Sequence, residues 1–103
     1  MIKVTVTWKQ DKIISLSMEG HALSAEEGQD LVCAGASAIF EGGVYALEGK
    51  NIEEHHSKGK GLITVKGPLS LHDEYVLQTM KSQLEFIGKE ASEYLKVTEV
   101  KKS

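Results

Sequence analysis

Residues 2–8, IKVTVTW, alternate without interruption: Ile2, Val4, Val6 and Trp8 fall on one side of an extended backbone, Lys3, Thr5 and Thr7 on the other. A period of two over this length marks a strand with one buried face and one wet face. Ile14, Leu16 and Met18 alternate with Ser15, Ser17 and Glu19 in the same way. The polar Gln10, Asp11 and Lys12 between the two runs predict an antiparallel hairpin with its apolar residues on a common face. A sheet of such strands cannot bury itself. It needs a second layer over its apolar side.

Two helical stretches supply that layer. Asp30 is the expected N-cap of a helix over 31–47, in which Val32, Ala36, Ile39, Phe40, Gly43 and Leu47 share one side and Gly49 is the stop. The adjacent Gly42 and Gly43 lower helix propensity, so a kink is expected there. Ser70 caps a second helix with a stripe of Val76, Met80, Leu84, Ile87 and Ala91. Between the helices, 52–57 is a polar strand, 58–61 a turn and 62–66 a second strand ended by Gly67 and Pro68. A last strand over 94–100 leaves Lys101, Lys102 and Ser103 as a solvated tail. The predicted order is ββαββαβ, and the predicted fold is an α+β two-layer sandwich of a mixed β-sheet and two helices in a single domain.

Composition narrows the function classes. Twelve basic against 15 acidic residues give a formal net charge of −3, opposite in sign to what binding a phosphate backbone requires, so no direct nucleic-acid binding is expected. No apolar run approaches the roughly 18 residues of a membrane span, and the alternating start does not resemble a signal peptide, so the expected location is cytoplasmic and off the membrane. One cysteine rules out an internal disulfide and a multi-thiolate metal site. His55 and His56 are neighbours in a strand and point to opposite faces, so they do not chelate one ion. No metal or cofactor is expected, and the methionines and aromatic residues at helical spacing are read as core.

The chemistry concentrates in GHALSAEEGQDLVCAGAS, residues 20–37. With Asp30 as N-cap, Cys33 is the third residue of its helix, where free amides and the positive end of the macrodipole favour thiolate over thiol. His21 follows a strand end, and the intervening loop is long enough to return it to the cysteine as a general base. The amides near Cys33 and Ala34 are candidate oxyanion donors. Asp30 either orients the loop or imidazole or simply caps the helix, and Ser37 either supports the site by hydrogen bonds or bonds its own preceding turn. The acidic loop 22–29 is expected to move when substrate arrives and to attract a basic chain. These residues alone leave open a packing cysteine and a redox-sensing thiol.

The GHA stretch, the DLVCAGAS stretch after a short acidic loop, the strand pair before them and LQTMKSQLEFI in the second helix together resemble the ribosomal-processing cysteine proteases, the Prp family. The resemblance spans essentially the whole chain. It implies that His21 and Cys33 form a catalytic dyad in an endopeptidase of narrow specificity. Its implied substrate is the precursor of a bacterial large-subunit ribosomal protein, whose short N-terminal extension is removed after an aromatic residue. It also implies a homodimer. The rival reading is a non-catalytic ribosome-associated or protein-binding module in which Cys33 only packs. Phe40, Tyr45 and Tyr75 are either liners of an aromatic-binding groove or, more simply, core.

Overall fold

The computed structural model describes residues 1–20, 27–57 and 59–103. Its elements are β1 (Ile2–Lys9), β2 (Lys12–Glu19), α1 (Glu27–Ala46), β3 (Ile52–Ser57), β4 (Lys60–Val65), α2 (Leu71–Glu90) and β5 (Leu95–Lys102). They form an α+β sandwich in the expected order. The sheet order is β3-β4-β2-β1-β5, with β1 and β5 parallel and the other neighbours antiparallel. It follows that β2 and β3 run parallel with β4 between them, and β4 and β5 run parallel with β2 and β1 between them. Each helix is therefore a crossover connection, and both lie over the same face.

That face is the one the alternation predicted. Ile2, Val4 and Val6 of β1, Ile13 and Leu16 of β2, Ile63 of β4 and Leu95 of β5 are buried against Ala36 and Phe40 of α1 and Leu77, Met80 and Leu84 of α2. The hairpin turns at Gln10 and Asp11, with φ 52° and 62°, the paired positive values that match a two-residue turn to the twist of its strands. Lys12 already belongs to β2. The structure corrects one inward position. Trp8 pairs with Ile13 while Thr7 pairs with Ser15, so Ile14 is the extra residue of a β-bulge and Ile13, 5% exposed, takes the core place.

Two boundaries also move, and an expected kink is not found. α1 begins at Glu27, so Asp30 is its fourth residue and not its N-cap. The helix runs through Gly42 and Gly43 without a break, because the second glycine has a packing role. A Cβ on Gly43 would lie 2.2 Å from Met80 Sδ, and hydrogen there lets α1 and α2 approach closely. β5 continues to Lys102 because its parallel pairing with β1 extends as far as Lys9, which takes Lys101 and Lys102 out of the expected tail. In α2 the Ser70 hydroxyl accepts from the Asp73 amide at 3.1 Å, as a cap should. Leu77, absent from the predicted stripe, is fully buried.

Candidate active site

Gly20 ends β2 at φ +106°, a backbone conformation that side chains rarely adopt. Its N–H donates to the Gly59 carbonyl at 2.9 Å, and a Cβ added to it would sit 2.3 Å from the Met1 carbonyl oxygen. The hairpin between β3 and β4 and the start of β1 thus hold the chain from two sides where it leaves the sheet for residue 21. His21, Glu26 and the loop between them lie outside the described residues, as does the predicted motion of that loop.

Cys33 is half-buried on α1 and packs against the edge of the core. Its flank of the helix follows from its neighbours. Gly35 faces Ile87 of α2, whose Cδ1 would be 3.5 Å from an added Cβ, while Ala36 and Phe40 point into the core. Phe40, seven residues after Cys33, lies over Gly61, where an added Cβ would be only 2.7 Å from the ring. Gly61 pairs with Met18 of β2. From this shared level β2 continues two residues to Gly20, and α1 runs back two turns, about 10 Å, to Cys33. Because α1 returns the chain from the end of β2 to the start of β3, both runs lead to the same end of the molecule. The fold brings Cys33 and the exit toward residue 21 to that end.

The remaining sequence candidates are redistributed. With α1 starting at Glu27, Cys33 and Ala34 stand in the second turn, where amides bond to carbonyls four residues earlier and the terminal field has largely decayed. The reasons for a dipole-favoured thiolate and for oxyanion donors at these two amides are thereby removed. Ala34 and Ser37 are exposed, and among the described residues Ser37 makes no side-chain hydrogen bond. Phe40 is core, at 1% exposure, whereas Tyr45 and Tyr75 are 92% and 57% exposed, contrary to the simpler expectation of core for both.

A group missed by the sequence reading lies further along the flank that carries Cys33. His56 of β3 meets the Phe40 ring edge-on at 5.8 Å, with its Nδ1 3.3 Å from Glu41 Oε1 and its Nε2 3.9 Å from Glu54 Oε1. The two histidines do diverge as predicted, since His56 shares the helix side with its partner Gly61 and His55 turns to the opposite face. The only hint in the sequence was that His56 alternates in phase with Ile52, the one partly buried residue of an otherwise exposed strand. Among the described residues no group of three His, Cys, Asp or Glu side chains is arranged to hold a metal ion. No helix among them is long and apolar enough to cross a membrane.

Comparison with known proteins adds the chemistry. Residues 1–96 match the family model described as cysteine protease Prp. The ribosomal processing cysteine protease Prp of Staphylococcus aureus (strain Mu50) is 34% identical over 103 residues, covering 94% of this chain and 97% of the relative. The protein of the same description from Bacillus subtilis (strain 168) is 52% identical over 48 residues, covering 46% of this chain and 43% of its own. Among solved structures, S. aureus Prp in complex with a covalently linked product peptide superposes with a TM-score of 0.85 at 31% identity, covering 96% of this chain and 99% of that one. SMU.848 from Streptococcus mutans shares the fold, with a TM-score of 0.80 at 19% identity, covering 99% and 96% of the two chains.

Proposed function

Because this chain belongs to the Prp family of cysteine proteases, we propose that it removes the N-terminal extension of a bacterial large-subunit ribosomal protein precursor in the cytoplasm, with Cys33 as nucleophile and His21 as general base. The observation that carries this reading is the placement of Cys33 and the Gly20 exit at one end of a fold whose sequence follows the family along nearly its whole length. His21 takes the proton from Cys33 Sγ, and the thiolate adds to the scissile carbonyl carbon. The tetrahedral adduct collapses as the imidazolium protonates the departing amine, which leaves a thioester on Cys33. Water, deprotonated by the same imidazole, then hydrolyses the thioester and regenerates the thiol. That S. aureus Prp has been crystallised with a covalently linked product peptide is in keeping with a covalent step.

The test incubates the protein with such a precursor still carrying its extension. Cleavage by the native chain and none by Cys33→Ala or His21→Ala is the expected result. Alkylation by iodoacetamide reads the dyad separately: Cys33 should react in the folded protein below pH 8, and His21→Ala should slow it. A cysteine that alkylates only after unfolding, with no cleavage, would reassign the chain to a protein-binding module whose cysteine packs. Sedimentation velocity tests the homodimer implied by the family resemblance.

A further inference from the structure

Among the described residues no element covers the face of the sheet turned away from the helices, and that face holds a charge of its own. By strand register its residues are Lys3, Thr5, Thr7 and Lys9 of β1; Lys96, Thr98, Val100 and Lys102 of β5; Lys12, Ser15, Ser17 and Glu19 of β2; Lys60, Leu62 and Thr64 of β4; and Glu53, His55 and Ser57 of β3. Lys66, next in phase on β4, pairs with Glu53 at 3.5 Å from the same side. The face thus gathers seven of the 12 lysines and only two of the 15 acidic residues. A chain with net charge −3 has folded so that its acidic excess lies elsewhere and one flat surface is basic.

Three of those lysines are neutralised locally, Lys60 by Glu19 at 3.9 Å, Lys66 by Glu53, and Lys12 by Glu74 of α2 at 3.0 Å. The other four are not: among the described residues no carboxylate lies within ion-pair distance of Lys3, Lys9, Lys96 or Lys102. They stand as two like-charged pairs along the β1–β5 seam, Lys3 beside Lys96 with Glu19 across from Lys3 on β2, and Lys9 beside Lys102 with Lys12 across from Lys9. Like charges side by side on one face oppose strand pairing. The pairs are separated by six residues of β1, about 20 Å. Between them lies a floor of hydroxyls from Thr5, Thr7, Thr98, Ser15 and Ser17.

We propose that this open sheet face is a docking surface for double-stranded RNA, bound through its phosphate backbone by Lys3, Lys9, Lys96 and Lys102. Paired, unneutralised ammonium groups and small hydroxyls are the side chains that contact phosphates and sugars. Among the described residues that the register places on the face, Leu62 and Val100 are the large apolar ones, and they do not supply the buried aromatic anchors of a protein interface. Nor, among the described residues, is there an aromatic platform on which unpaired bases could stack, which argues against a single strand. Among the described residues no helix or loop projects from the face to enter the major groove of DNA. The shallow, hydroxyl-bearing minor groove of A-form RNA suits a flat surface of this kind. The proposal does not depend on the protease reading.

Fluorescence anisotropy with a short labelled RNA duplex tests it. Binding should be weak and sequence-independent, with a Kd on the order of 10⁻⁵ M at low salt and a log–log salt slope between about −3 and −4, as four phosphate contacts require. Replacing all four lysines by glutamine should weaken binding at least tenfold and flatten the slope, while Lys50→Gln with Lys89→Gln should leave both unchanged. The fourfold variant should keep or raise its melting temperature, because two repulsive pairs are gone, and should cleave peptide at the native rate. Absence of binding at low salt, equal loss in the control variant, or tighter binding to a DNA duplex of the same sequence would overturn the proposal. Tighter binding to polyglutamate would give the face to an acidic protein instead.

Discussion

Gly20 has no side chain to contribute, yet its replacement is expected to disturb the site more than that of any exposed polar residue nearby. An alanine there would take a strained φ of +106° and drive a methyl into the Met1 carbonyl. Gly20→Ala should therefore cost at least about 2 kcal/mol in urea denaturation and lower peptide cleavage beyond what the lost folded fraction explains. Asp73 is the other residue with a large effect. Buried to 1% exposure, its carboxylate accepts from the Glu48 amide at 2.8 Å and the Gly49 amide at 3.2 Å, tying the chain beyond α1 to the first turn of α2. Asp73→Ala leaves both donors unpaired and should cost about 2–3 kcal/mol, measured the same way. Neither role was legible in advance. The sequence shows glycine after a strand and an acid in a first turn, whereas the Met1 carbonyl and the Glu48 amide reach them only through tertiary structure. Cys33 was legible because it is the single thiol in a motif, but its depth in the helix was not.

At the scale of elements, the α1–α2 seam separates two glycines that look alike in sequence. Gly43 faces Met80, and Gly42 has nothing within 4 Å of an added Cβ. Gly42→Ala should stabilise the protein by up to about 1 kcal/mol through helix propensity. Gly43→Ala should destabilise it by about 1–3 kcal/mol, because the overpacked seam outweighs the same gain; thermal melts of the two variants should move in opposite directions. Lys81 joins α2 to the far edge of the sheet. The Glu85 carboxylate at 3.0 Å, joined by Glu99 at 3.4 Å, raises the Lys81 pKa above its ordinary 10.5, and its ammonium lies 5.6 Å from the Trp8 ring centroid. A raised folded-state pKa supplies stability that is present below 10.5 and lost as the pH climbs through the folded value. Lys81→Gln should thus lower the melting temperature at neutral pH slightly and abolish that part of the alkaline decline. Periodicity found every element here. It misplaced Ile13 and Ile14 because a bulge is a property of two strands together, and it shortened β5 because the Lys9 partner that extends it is remote in sequence.

Taken whole, the molecule interlocks two crossovers around a sheet whose central strands are β2 and its neighbours, while β3 is an edge strand exposed along nearly all its length. Native-state hydrogen exchange should accordingly show β1 and β2 amides exchanging only through global unfolding, and β3 amides through local opening at lower cost. Equal protection of β3 and β1 would contradict this ordering. The edge that opens first carries His56, on the Cys33 side of the molecule. Architecture was the most legible property of all, since one-faced strands and two striped helices admit few arrangements. The charge segregation was the least, because net charge is read from a chain and a face exists only once strands are registered.

The contact between Gly20 and the Met1 carbonyl also bears on how the protein is handled at the bench. Residues joined ahead of Met1 leave the fold beside the mouth of the candidate site, where an affinity tag would compete with a polypeptide substrate for space. β5 runs parallel to β1, so residues joined after Ser103 emerge at the opposite end, more than 20 Å away by strand length. A cleavage assay on protein purified through a carboxy-terminal tag should therefore give the higher turnover.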